Sequence, residues 1–445
     1  PMAKTSGGYK CAECGWQTSK WVGRCGECQQ WGTVLEVGAS KATLARTTRA
    51  AAPTPGREAR PITDLQVDAV RHQPTGIGEL DRVLGGGVVP GAAILFSGEP
   101  GVGKSTLLLD AAARGAASGA RVLYVSGEES TGQIRMRAER TGALRDTLYL
   151  ASETDLATVL GHIESVDPAL VIVDSVQTLA SDQVDGGAGG PAQVREVAAA
   201  LIRVAKDRGT PVILVGHVTK DGSVAGPRLL EHLVDVVCHF EGDRQSALRF
   251  LRTLKNRYGP TDEIGCFEMT GAGISEVADP SGLFLSRTTA PVSGTCATVA
   301  MEGRRALPVE VQALVAKSAT PNPRRVTSGV DPSRVAMILA VLERRVGARL
   351  HDQDVYVSTV GGVKLSEPAA DLAIALAVLS AISDRPLPHD LAAFGEISLA
   401  GEIRPVVGGT QRAGEATRLG YTALIDARAE TLQQARSNAG LARNE

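Results

Sequence analysis

The stretch Gly98-Glu99-Pro100-Gly101-Val102-Gly103-Lys104-Ser105-Thr106 (GEPGVGKST) decides how this sequence is read, because it fits the phosphate-binding pattern GxxxxGK followed by Ser or Thr. The apolar run Ala92 to Phe96 precedes it and predicts a short buried strand, and the helix formers Leu107 to Ala113 follow it. Gly98, Gly101 and Gly103 allow the backbone to curl, so that several N–H groups face one set of phosphate oxygens at the start of a helix. Lys104 is then placed to reach the β- and γ-phosphates, Ser105 to hold magnesium through its hydroxyl, and Thr106 to lie near the same phosphates. With 50 glycines in 445 residues, a chance match has a prior of roughly a few per cent. The strand before it and the helix after it reduce that further.

Further along, Ala169 to Asp174 reads as an apolar strand ending in a carboxylate, the position from which Asp174 anchors magnesium in a P-loop ATPase. Ser175 follows rather than Glu, so the base that orients the attacking water comes from elsewhere. Glu128 and Glu129 end the strand Val122 to Ser126, which is expected to neighbour the phosphate-loop strand. Glu128 is favoured as the base, with Glu129 the alternative; the plainer reading is a pair of solvated acids. Ser181 to Gly190 is too glycine-rich to pack and reads as a mobile loop, followed by a helix with Val194, Val197, Ala198, Leu201 and Ile202 at helical spacing. The strand Pro211 to Gly216 delivers His217-Val218-Thr219-Lys220 to the same site, where His217 is a sensor of the γ-phosphate or an ordinary strand-end histidine. Asp221 to Pro227 reads as loop. The strand Leu248 to Leu254 ends in Lys255-Asn256-Arg257-Tyr258-Gly259, two cations with no acid immediately before them. They are suited to a DNA phosphate or to the γ-phosphate of an adjacent subunit; the plainer reading is a surface turn.

At the N-terminal end, Cys11-x-x-Cys14 and Cys25-x-x-Cys28 have the spacing of two knuckles that offer four thiolates to a structural, tetrahedral zinc, with Gly15 and Gly26 expected to permit the turns. So small a module cannot bury enough apolar area alone, and the metal supplies most of its folding energy. Residues 38–60 carry five cations (Lys41, Arg46, Arg49, Arg57, Arg60) against Glu58, and read as a basic linker. Cys238, Cys266 and Cys296 stand alone and are expected to be buried, inert thiols in a reducing compartment. Apolar residues make up 43% and charged ones 22%, ordinary for a folded protein, and 3% aromatics means cores built from Ala, Val, Leu and Ile. The net charge of −2 excludes neither nucleic acid nor a membrane surface. The longest uncharged apolar stretch, Leu372 to Ile382, is too short to span a bilayer, and a cytoplasmic location without membrane contact is expected.

Together, the four-cysteine finger, SGEPGVGKST, YVSGEES, LVIVDS, GHVTKDG followed by AGP, LEHLVD and KNRYG resemble the RadA (Sms) family of bacterial DNA-repair ATPases in the RecA superfamily. The likeness runs along nearly the whole chain, with Tyr258 where the family usually has Phe. It implies an α/β fold: a RecA-like P-loop ATPase core with a mostly parallel sheet, a small N-terminal zinc module and a C-terminal α+β domain resembling the protease domain of Lon. The implied boundaries are 1–37, 38–60, 61–286 and 287–445. It also implies ATP, Mg2+ and Zn2+ as cofactors, single-stranded and branched DNA and RecA as partners, and a homo-oligomeric ring, expected to be a hexamer, that drives branch migration. Carried over residue by residue, Lys104, Ser105 and Thr106 bind nucleotide and magnesium, Glu128 activates water, and Lys255 and Arg257 act in DNA-stimulated motor function.

The Lon-like segment departs from its family where a Ser/Lys dyad would stand. Ser366-Glu367-Pro368-Ala369-Ala370-Asp371 and Gly408-Gly409-Thr410-Gln411-Arg412 occupy those stretches, with Gln411 at the position of the lysine. A serine without an amine to take its proton is a poor nucleophile, so no peptidase activity is expected. Between Met301 and Arg349 nine cations (Arg304, Arg305, Lys317, Arg324, Arg325, Arg334, Arg344, Arg345, Arg349) outnumber four acids, an expected phosphate-binding face. A nucleotide-switched scaffold and an ATP-dependent peptidase are the competing readings.

Overall fold

The computed structural model describes residues 8–36, 59–64, 70–218, 226–242, 247–286 and 290–442. The expected linker lies outside them apart from Ala59 and Arg60, as do Thr219, Lys220 and most of the loop predicted at Asp221 to Pro227. The chain divides into two compact units, Pro1–Ala69 and Val70–Glu445.

In the first unit three short strands, β1 (Tyr9–Cys11), β2 (Gln17–Thr18) and β3 (Val34–Glu36), form an antiparallel sheet in the order β2-β1-β3. The residue after the second cysteine of each pair turns through the left-handed region: Gly15 at φ 78° and Gln29 at φ 59°. Gly15 acts as the sequence suggests, but Gly26 does not make the second turn. It is glycine because the Trp16 ring lies where a Cβ would be, 2.7 Å away.

The second unit begins with α1 (Gly78–Leu84), β4 (Ala93–Gly98), α2 (Lys104–Ala117), β5 (Val122–Ser126), α3 (Thr131–Arg140), β6 (Leu148–Ser152), α4 (Leu156–Val166), β7 (Leu170–Asp174), α5 (Pro191–Arg208) and β8 (Val212–His217). The strands β9 (Val236–Glu241), β10 (Leu248–Asn256), β11 (Ile264–Thr270) and β12 (Gly273–Glu276) follow. They make one sheet in the order β12-β11-β10-β9-β4-β8-β7-β5-β6, parallel from β9 to β6 and antiparallel beyond β9. Strands buried on both faces read as continuous apolar runs. Ile94, Phe96, Tyr124, Ile172, Ile213 and Val215 pack with α1 and α2 on one face, while Leu95, Leu123, Val125, Val171, Val173 and Leu214 pack with α4 and α5 on the other.

Three sequence expectations change. β5 does not neighbour the phosphate-loop strand: β8 and β7 stand between them, because a strand formed later in the chain inserts beside β4. The glycine-rich loop after Ser181 is pinned rather than loose. The Gln193 side chain, 2% exposed, accepts from Ser181 N and donates to the carbonyls of Ser181, Val184 and Gly186. β10 continues through Lys255 and Asn256 instead of ending at Leu254.

The remainder comprises α6 (Ser281–Phe284), β13 (Thr295–Glu302), β14 (Arg305–Lys317), β15 (Arg325–Ser328), α7 (Pro332–Val346), β16 (Gln353–Thr359) and α8 (Asp371–Ser383). After these come β17 (Leu391–Ala393), β18 (Glu396–Ile397), β19 (Ile403–Arg404), α9 (Gly409–Arg418), β20 (Ala423–Ile425) and α10 (Leu432–Asn438). Its mixed sheet runs β15-β16-β14-β13-β17-β20, and β18 pairs with β19. The apolar stretch in α8 is a helix surrounded by this core, every residue from Asp371 to Ser380 being buried. Among the described residues no helix is long and apolar enough to cross a membrane. Cys238, Cys266 and Cys296 are buried as expected; burial pushes the Cys238 thiol up to about 12 and Cys266 to about 11.

The turn between β13 and β14 fastens this domain to the nine-stranded sheet. Arg305 pairs with the buried Glu79 of α1 and donates to Ala278 O at 2.7 Å, and Arg252 of β10 pairs with both Glu302 and Glu241. Arg305 is therefore not free for DNA, and neither is Arg334, which is paired with the buried Asp371.

Candidate nucleotide site

β4 delivers the phosphate loop from the centre of the sheet, with Gly98 level with His217 on one side and Phe240 on the other. Gly98 has φ 152°, and a Cβ there would sit 2.3 Å from Phe240 O, so only glycine fits. Gly103 is the N-cap of α2 and brings no side-chain cap, so the first-turn N–H groups are left for an anion. Glu99, Pro100 and Gly101 are exposed, Val102 is buried, and Ser105 and Thr106 are half-buried on the first turn. Lys104 is 3% exposed and donates to the carbonyls of Gly98 and Glu99, each at 2.8 Å. Burial pulls its ammonium down to about 8, opposed by the negative charges of Asp174, Glu128 and Glu99. A basic side chain at this depth, a glycine cradle and an uncapped helix start fit a nucleoside triphosphate with its magnesium.

Asp174 ends β7 at 5% exposure, and its Oδ2 accepts from Tyr124 Oη at 2.8 Å. Glu128 reaches the crevice despite the distance of β5 from β4. Its Oε1 accepts from Ser175 Oγ at 2.8 Å and lies 3.2 Å from His217 Nε2. His217 first, then Ser175 against the cost of burial, hold the Glu128 carboxyl below its ordinary range. Glu129 turns away and pairs with Arg137. Gln177 clamps the end of β8, donating to His217 O at 3.0 Å and accepting from His217 N at 3.2 Å. Both ring nitrogens of His217 are closed to solvent without a well-aligned hydrogen bond among the described residues, the approach to Glu128 being close but poorly directed.

Lys255 and Arg257 are not brought to this crevice. Asn256 is level with Val236, and Val236 with Ile94, at the opposite end of β4 from the loop. Lys255 Nζ donates to the carbonyls of Glu231 and Val234 at 2.9 and 2.8 Å. Arg257, 56% exposed, donates to Asp235 Oδ1 at 3.1 Å. The sequence shows no acid just before these cations, but the fold supplies Asp235, which also accepts from Ala93 N and pairs with Lys206. Tyr124, Ser175, Gln177 and Asp235 went unmarked as site residues.

In the first unit the four cysteine Sγ atoms lie within 4.8 Å of one another, with Cys11 to Cys28 at 3.7 Å and Cys14 to Cys25 at 3.5 Å. A tetrahedron of Zn–S bonds of about 2.3 Å has sulfurs about 3.8 Å apart, so Cys11, Cys14, Cys25 and Cys28 fit zinc with no position left for substrate. In the C-terminal domain Ala369 and Ala370 are buried and Gln411 is exposed. Beside them Arg412, 1% exposed, makes a two-pronged pair with Glu367 and donates to Val299 O and Val407 O. The Arg412–Glu367 salt bridge thus joins the two stretches, 366–371 and 408–412, that the sequence sets against the Ser/Lys dyad.

Comparison with known proteins agrees with this layout. Residues 9–36 match a family model described as a rubredoxin metal binding domain, 58–223 an AAA domain, and 333–430 subunit ChlI of Mg-chelatase. The chain is 54% identical over 425 residues to DNA repair protein RadA of Mycolicibacterium smegmatis, covering 94% of this chain and 90% of that one. It is 53% identical over 423 residues to DNA repair protein RadA of Mycobacterium tuberculosis (95% and 88%), and 45% over 428 residues to that of Bacillus subtilis (95% and 93%). At such identity along nearly the full length of both partners, and with a phosphate loop, a four-cysteine module and a Lon-like domain in the same order, the chain belongs to the RadA family of DNA repair proteins.

Proposed function

We propose that this protein is an ATP-driven DNA motor of recombinational repair, acting in the cytoplasm as a homo-hexameric ring that processes branched and single-stranded DNA together with RecA. The carrying observation is the convergence on one crevice of the phosphate loop, Asp174 and Glu128, with Glu128 set between Ser175 and His217. In this reading Lys104 holds the β- and γ-phosphates, and Ser105 and Asp174 hold Mg2+, which screens phosphate charge when bound. Glu128 takes the proton of the attacking water. His217, whose ring nitrogens lack aligned partners, donates to the γ-phosphate when it is bound, which frees Glu128, and returns to Glu128 when that phosphate leaves.

Residues 1–37 serve as the zinc module, 61–286 as the motor and 287–445 as a Lon-like platform without peptidase activity. DNA phosphates meet Lys317, Arg324, Arg325, Arg344, Arg345 and Arg349, which are exposed where β14 ends, β15 begins and α7 ends. Arg257 and Lys255 couple hydrolysis to DNA. The test is ATP turnover with and without single-stranded DNA. Wild type is expected to be stimulated, Lys104→Ala to lose turnover, Glu128→Gln to bind ATP without hydrolysing it, and Arg257→Ala to lose stimulation. A wild-type rate indifferent to every DNA would overturn the motor in favour of a nucleotide-switched scaffold.

A further inference from the structure

We propose that Arg249 is a positioning residue of the phosphate loop, setting the Val102–Gly103 peptide so that the Gly103 N–H faces the phosphates. Arg249 is on β10, two strands from β4, and is 6% exposed. Its Nε donates to Val102 O at 2.9 Å and its Nη1 to Leu248 O at 2.7 Å. Gly242 makes room for it, since a Cβ there would lie 2.4 Å from Arg249 Cδ. A guanidinium is seldom buried without a task, because removing its charge from water is costly.

The task follows from peptide geometry. In a trans peptide the C=O and the next N–H point in opposite directions. Holding the Val102 carbonyl toward Arg249 therefore turns the Gly103 N–H to the opposite side. Gly103 must be glycine, because it stands at φ 112° and Met269 Sδ lies 3.0 Å from where a Cβ would be; lacking a Cβ it does not restrain the peptide itself, and that restraint falls to Arg249. Lys104 holds the start of the loop through Gly98 O and Glu99 O, and Arg249 holds its end. The loop's amides are thus aimed before a ligand arrives, the arrangement that makes fixed donors effective on phosphate charge.

The inference rests on the nucleotide-binding reading above, and the experiment separates the two. Steady-state ATP turnover is measured on the full chain for wild type, Arg249→Met and Arg249→Gln, and equilibrium retention of ATP is measured on wild type with Lys104→Ala as the control. Gln carries its amide nitrogen at the place of Arg Nε and so retains a donor to Val102 O without the charge, whereas Met retains neither. Loss of the bond is expected to raise KM for ATP about tenfold or more in Arg249→Met, with kcat within about threefold. Arg249→Gln is expected to return KM to within about threefold of wild type. A normal KM in the Met variant, a loss confined to kcat, or a Gln variant as poor as Met overturns the assignment. If Arg249→Met does not fold, Arg249→Ala takes its place under the same criteria. A wild type that does not retain ATP refutes the nucleotide site itself instead.

Discussion

Tyr124→Phe removes one oxygen from the centre of the ATPase sheet and leaves the packing in place. Tyr124 is fully buried and its hydroxyl donates to Asp174 Oδ2 at 2.8 Å; burial first, and then the Asp174 charge, push its phenol well above the ordinary value of 10.0, so it stays a donor. Without it, a carboxylate oxygen on a residue only 5% exposed loses its donor. A hydrogen bond to a charged group contributes about 1.5–3 kcal/mol, which lowers Tm by roughly 3–12 °C for a domain of this size. Asp174 also loses the contact that fixes its orientation. Removing such a supporting partner weakens metal binding by about 10–100-fold, and magnesium, held in part by water, belongs near the lower figure. The assay is ATP turnover against free Mg2+ at saturating ATP, with calorimetric unfolding in the absence of nucleotide. The expected result is about a tenfold rise in the Mg2+ needed for half-maximal turnover, with kcat largely restored at high Mg2+. An unchanged Mg2+ curve would refute the argument, even if the protein were destabilised.

Burial pulls the Lys104 ammonium down to about 8 in the fold against an ordinary 10.5, so between those values the unfolded chain holds a proton the native chain lacks, and the contribution of Lys104 to nucleotide-free stability rises with pH across that window. Urea unfolding of wild type and Lys104→Met at pH about 7.5 and about 9.5 should show the difference between them shifting in favour of wild type at the higher pH. Zinc removal should melt the N-terminal module, and the chain's only three tryptophans, Trp16, Trp21 and Trp31, all lie in it. Tryptophan fluorescence should therefore report chelation while calorimetry shows the Val70–Glu445 unit still folded. Arg412→Met strands Glu367 and two backbone carbonyls, at an expected cost of about 3 kcal/mol. Arg412→Met with Glu367→Leu should recover the part due to the stranded carboxylate, the carbonyls of Val299 and Val407 and the N–H of Met301 staying unpaired, and equal loss in the single and double variants would show that the pair itself is not the cause.

The pieces of this fold were legible where physics acts locally. The glycines and lysine of residues 98–106, the apolar runs of Val122 to Ser126 and Leu170 to Asp174, and the paired cysteines each carry their reason in adjacent residues. Order across the sheet was not legible, because the insertion of β8 between β4 and β7 depends on pairing with strands far away in sequence. Glu128 therefore reaches the crevice by a different route from the one expected, through Ser175 and His217. The same limit hid Asp235, which lies more than twenty residues from Arg257, and Arg412, whose burial comes from β13 and Glu367 rather than from its own helix. Gly26 shows the converse: its place after a cysteine suggested a turn, but a ring from the other knuckle explains it.

The position of Arg257 constrains how any motor built from this chain works. Its guanidinium is tied to Asp235, whose carboxylate also accepts from Ala93 N at the first residue of β4. From Ala93 to Gly98 an extended strand covers about 17 Å, more than an arginine can span. Arg257 therefore cannot touch the triphosphate of its own chain while β4 stays folded. If it acts on a nucleotide, that nucleotide belongs to another copy, and the crevice of one chain meets the opposite strand ends of the next chain's sheet. Such a contact is heterologous, and repeating it produces a ring when the rotation closes. Hydrolysis is then a property of the junction between neighbours: Asp235 connects the incoming contact to the start of β4, and β4 ends in the phosphate loop. In that arrangement β4 is the strand that joins the nucleotide a subunit holds to the one its Arg257 meets.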